Sequence, residues 1–96
     1  MANICENELR IYTVNKENKE VIKHFFKSEW NEDIIEDEEN ITVYFDSKWT
    51  FPEEAMNRLY DSLPNKKDIN MICLSVEWGC AYCQFHACGE NGWYTE

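Results

Sequence analysis

The sequence predicts an α+β fold: one antiparallel sheet with two helices on one face and the other face left open. Three observations lead there. Apolar residues alternate with polar ones in several stretches and twice change to three- and four-residue spacing, giving the order strand, helix, strand, strand, helix, strand. A chain of 96 residues, 44% of them hydrophobic, supports one modest core, burying about 60% of the surface its unfolded form exposes. Two strand–helix crossovers feeding one sheet bring both helices to the same side.

Each element has its own signal. Leu9, Ile11 and Thr13 alternate with Glu8, Arg10 and Tyr12, the period of a strand with one buried face. Asn15 is placed to cap a helix from about Lys16 to Glu29. Val21, Ile22, Phe25 and Phe26 form its apolar side, four lysines occupy the other, and His24 lies at the boundary. Ile34 to Glu36 reads as a short strand and Asn40 to Asp46 as a clearer one, joined by the turn Asp37-Glu38-Glu39-Asn40. Thr50 followed by Glu53 has the spacing of a capping box, and Pro52 suits the first turn of a second helix. That helix runs through Ala55, Met56, Leu59, Tyr60 and Leu63 until Pro64-Asn65 stops it. Ile69 to Trp78 is the longest strand, with Ile72, Leu74, Val76 and Trp78 expected to face the core. Gly79-Cys80 turns the chain into a strand from Ala81 to Cys88, and a second turn leaves Trp93-Tyr94 as a short final strand or tail. The natural solution is a ferredoxin-like β-α-β-β-α-β sandwich, a single domain over residues 1–96 with an extra C-terminal hairpin strand.

Three stretches resemble a family of plasmids and phages, ferredoxin-like domains of the YubB-like type. They are the opening Asn3-Ile4-Cys5-Glu6-Asn7-Glu8-Leu9, the corner Phe45-Asp46-Ser47-Lys48-Trp49-Thr50-Phe51-Pro52, and Glu77-Trp78-Gly79 followed by Phe85 and Gly89. The resemblance implies the fold and an origin on a mobile element, but no activity, since fold alone does not carry one. Phe51 departs from the family pattern, which has a second proline there, and the set Cys80, Cys83 and Cys88 is not part of that pattern. Bland roles suffice for the matching residues: Trp49 and Pro52 locking the corner, Asn3 and Asn7 satisfying backbone groups at the sheet edge, Glu77 fixing the hairpin.

Five cysteines cannot all pair within one chain, and the opening residues lack a basic region followed by an apolar stretch, so reduced thiols in a cytoplasm (the host's, for a phage protein) are expected. Cys80, Cys83, His86 and Cys88 have ligand chemistry suited to zinc. A continuous strand, however, puts His86 and Cys88 on one face and Cys83 on the other. Free thiols used as small apolar residues are favoured, with a metal-binding or thiol-switch module as the alternative. No nucleophile–base pair, glycine-rich phosphate loop or cofactor motif is present, so neither an enzyme nor a cofactor is expected.

Charge is the most informative feature. The chain has 19 acidic and 9 basic residues, a net of −10, which argues against binding nucleic acid or an anionic membrane directly. Glu29, Glu32, Asp33, Glu36, Asp37, Glu38 and Glu39 lie within eleven positions without a basic residue. A solvated acidic loop explains them. The functional reading is an edge that mimics phosphates and occupies the basic surface of a protein partner, such as a nucleic-acid-handling defence nuclease. That reading describes a small phage or mobile-element inhibitor of the anti-CRISPR kind. A secondary interaction face is expected on the open side of the sheet, with Tyr12, Tyr44, Tyr82 and His86 beside Met71, Cys73 and Gln84. The same face could support a homo-oligomer.

Overall fold

The computed structural model describes residues 4–48, 50–79, 82–89 and 92–95. Its elements are β1 (Ile4–Tyr12), α1 (Lys16–Trp30), β2 (Ile35–Glu36), β3 (Asn40–Lys48), α2 (Glu53–Ser62), a 3-10 turn (Lys66–Asp68), β4 (Asn70–Glu77), β5 (Tyr82–Gly89) and β6 (Gly92–Thr95). The strands form one six-stranded sheet in the order β2-β3-β1-β4-β5-β6, antiparallel at every pairing. The α+β class is as expected, and the inner order β2-β3-β1-β4 is compatible with a ferredoxin-like arrangement. Two strands, rather than one, extend the sheet beyond β4. No helix among the described residues is long and apolar enough to cross a membrane.

Both helices pack on one face. Asn15 caps α1 as predicted, its Oδ1 accepting from the Asn18 N–H at 2.8 Å. Asn31 ends the helix in the left-handed region, which asparagine tolerates. Ile22 and Phe26 of α1 and Ala55, Met56 and Leu59 of α2 meet Leu9, Ile11, Ile41, Val43 and Phe45 in a buried core. Phe26 and Trp30 both pack against Phe45 with tilted rings, closing the α1 side. Asn18, fully buried, ties the start of α1 to the loop after α2 through two bonds with Asn65. The expected capping box does not form. α2 starts at Glu53 with Pro52 as N-cap and no side-chain cap bond, while the Thr50 hydroxyl turns to the Phe51 carbonyl.

The main correction concerns β4. Ile72, Leu74 and Val76 were expected to face the core, yet Met71, Cys73, Ser75 and Glu77 do so. The cause is register. Ile11, Leu9 and Asn7 of β1 stand opposite Met71, Cys73 and Ser75, and residues directly opposite share a face. The Ser75 hydroxyl donates to Asn7 Oδ1 at 2.6 Å, while Asn7 Nδ2 donates to the Phe45 carbonyl and to Ser47 Oγ. A one-residue slip would break this buried network and turn every β4 side chain over. Asn7 therefore lies buried in a central strand, not at the sheet edge. The Asn3 and Trp49 roles lie outside the described residues.

Candidate interaction surface

The register correction creates the surface. With β4 turned over, Ile72, Leu74 and Val76 join Tyr12 and Tyr44 on the open face, and Phe85 follows from its place opposite Leu74. Tyr12, Tyr44, Leu74 and Phe85 are 44%, 54%, 40% and 39% exposed. Trp78, at the end of β4, is 75% exposed, its indole N–H donating to Glu6 at 2.8 Å. Carboxylates frame this apolar stripe. Glu6 stands opposite both Asp46 and Val76, and Glu8 stands between Tyr44 and Leu74. Arg10 pairs with Glu8 at 2.7 Å, and that pairing raises the guanidinium pKa. A depression of about 410 Å³ opens where β3 meets this face, lined by residues that include Glu6, Glu8, Glu32, Tyr44, Asp46, Leu74 and Trp78.

The sheet divides the residues expected on the secondary face. Tyr12 and Tyr44 lie on the open side, whereas Tyr82 and His86, with Met71, Cys73 and Gln84, lie on the helix side because they share the register of Glu77, Ser75 and Cys73. Tyr82 donates to Gln84 Oε1 at 2.6 Å, and burial raises its phenol pKa. His86 is buried, stacked on Phe51 at 3.7 Å, with Nδ1 against the Thr95 hydroxyl at 3.1 Å and Nε2 without a hydrogen-bond partner among the described residues. Burial lowers its pKa, against a smaller opposing pull from Glu53.

The acidic segment does not form one continuous ribbon. Glu29 turns to Arg58 on α2, Asp33 to Lys27 and Glu36 to Lys23. Lys19 crosses to the Asp37 and Glu38 carbonyls. Glu32, Asp37, Glu38 and Glu39 form no ion pair with a described residue and remain exposed around the β2 edge.

The cysteine cluster is split as alternation requires. Cys83 stands opposite Val76 on the open side, while His86 and Cys88 face the helices. Cys80 lies outside the described residues, among which no three His, Cys, Asp or Glu side chains group as metal ligands. Cys73 and Cys88 are buried, which pushes both thiols up to about 12, and burial also raises the Cys5 thiol. Glu77 holds the hairpin by accepting the Gly79 N–H at 2.8 Å. What sequence reading missed is the apolar stripe of β4 and β5. The local signal pointed the other way: Glu77, a carboxylate, shares the buried phase of Met71, Cys73 and Ser75, where the Gly79 N–H helps to make it tolerable. No protein-family model, curated protein or solved structure matches the chain.

Proposed function

We propose that this chain is a ferredoxin-like protein-interaction module that binds a basic protein through the open face of its sheet. The observation that carries the reading is the half-exposed stripe of Tyr12, Tyr44, Leu74 and Phe85 framed by Glu6, Glu8 and Asp46. An apolar centre with a charged rim is the anatomy of a protein interface, and aromatic anchors supply most of the affinity at such sites. With a net charge of −10, the preferred partner presents lysine and arginine around an apolar contact. Proteins that handle nucleic acid carry such surfaces, so occupation of one by this chain would inhibit it. The free acids of the β2 edge then steer the encounter, while the stripe sets residence time.

The test is capture from host lysate at low and moderate salt, with wild-type chain beside a Leu74→Ser/Phe85→Ser variant. A basic protein held by the wild type, weakened by salt and absent from the variant, is the expected result. A partner retained equally by the variant removes the open face from the mechanism.

A further inference from the structure

The sheet has an unfinished edge beside this surface, and it specifies how a partner docks. β1 pairs with β3 along its whole length to Lys48, but β2 pairs with β3 only at Thr42 and Ile41. In an antiparallel strand the N–H and C=O of one residue point to the same neighbour, and successive residues alternate. The Asn40 carbonyl accepts from the Asp37 N–H on the β2 side, and the Glu39 carbonyl just before it accepts from the Thr13 N–H on the β1 side. Even-numbered residues of β3 therefore point outward. The Lys48 carbonyl is taken by the Thr50 N–H. Tyr44 and Asp46 present both backbone groups outward with no ladder partner among the described residues.

We infer that an extended segment of a partner protein adds to this edge as a strand, continuing the line of β2 along Tyr44 and Asp46, with a lysine or arginine beside Asp46. The inference rests on the interaction-module reading and specifies its docking mode. Backbone pairing supplies affinity in strand addition, and alternate side chains supply specificity. The cation follows from charge complementarity. Glu6 and Asp46 stand directly opposite each other, an arrangement that destabilises a pair of strands. Asp46 has no hydrogen bond or ion pair among the described residues, and Glu32 lines the same depression. A second copy is the poorer occupant, because edge-to-edge pairing would bring two chains of net charge −10 together at their acidic side.

The test uses the isotope-labelled full chain and two probes. One is a blocked heptapeptide of alternating lysine and valine; the other is the same peptide with every backbone amide N-methylated, equal in charge but unable to pair. The free peptide is expected to bind about tenfold more tightly than its twin and to slow hydrogen exchange at the Tyr44 and Asp46 amides. Asp46→Pro, a substitution that an outward-facing edge position accepts, should abolish that difference. Should the proline variant not fold, the wild-type exchange pattern decides alone. Equal binding of the two peptides would overturn strand addition while leaving charge-driven docking on the open face intact. Absence of binding by either would overturn it as well. A wild-type dimer in sedimentation that Asp46→Pro dissociates would make the occupant a second copy and overturn the partner-segment assignment.

Discussion

The two faces of this one sheet invert the usual relation between hydropathy and burial along β4. On the helix side, Met71 and Cys73 are followed by Ser75 and Glu77, all buried. On the open side, the more apolar Ile72, Leu74 and Val76 are left half exposed or exposed. Polar groups are bearable inside because each has a specific partner: Ser75 has Asn7, and Glu77 has the Gly79 amide. The apolar groups outside have no such compensation among the described residues. The difference teaches that the pairing with β1, not the hydropathy of β4, fixed the phase of that strand.

Substitutions that treat the two faces alike would break this comparison. The largest contrast is between aromatics: Phe26→Ala, in the core, should lower unfolding free energy in urea by about 3–5 kcal/mol. Phe85→Ala on the open face should cost no more than about 1 kcal/mol. Next comes the register lock. Asn7→Ala removes the acceptor of the buried Ser75 hydroxyl and the side-chain donor to the Phe45 carbonyl and should cost about 2–3 kcal/mol, with Leu74 becoming less accessible in surface footprinting if the strand slips.

Thiol mapping sharpens the same contrast more finely. In native protein, Cys83 should be alkylated readily because it is exposed, while Cys73 and Cys88, buried and pushed up to about 12, should react only on unfolding. Peptide mass spectrometry reads the order, and equal labelling of Cys83 and Cys88 would contradict their placement. The smallest effect belongs to His86. Its folded pKa lies below the ordinary value of 6.5, so the unfolded chain binds the proton first as pH falls. The stability it contributes is complete above 6.5 and lost as pH falls through the lower folded value. Subtracting the melting curves of His86→Gln from wild type between pH 7.5 and about 5 should isolate that loss from the titration of the carboxylates.

Much of the fold was legible because its signals are local. Asn15 before Lys16, the alternation of Leu9 and Ile11, and Pro64 after Leu63 each specify an element without reference to the rest. The phase of β4 was not legible, because it depends on Asn7, distant in sequence, meeting Ser75. The placement of Tyr82 and His86 failed with it, since β5 takes its register from β4. The acidic run was visible as composition, but its pairing with Lys23, Lys27 and Arg58 required the helices to be in place.

The most direct test of the account separates the open face from the acidic edge by kinetics, using the basic partner recovered by capture. Leu74→Ser/Phe85→Ser should speed dissociation about tenfold or more with little change in salt dependence. Reversing Glu36, Asp37, Glu38 and Glu39 to lysine should instead slow association and flatten its salt dependence, leaving dissociation nearly unchanged. If the hairpin variant loses the partner outright while the open-face variant keeps wild-type dissociation, the contact lies on the acidic edge and the central claim is wrong.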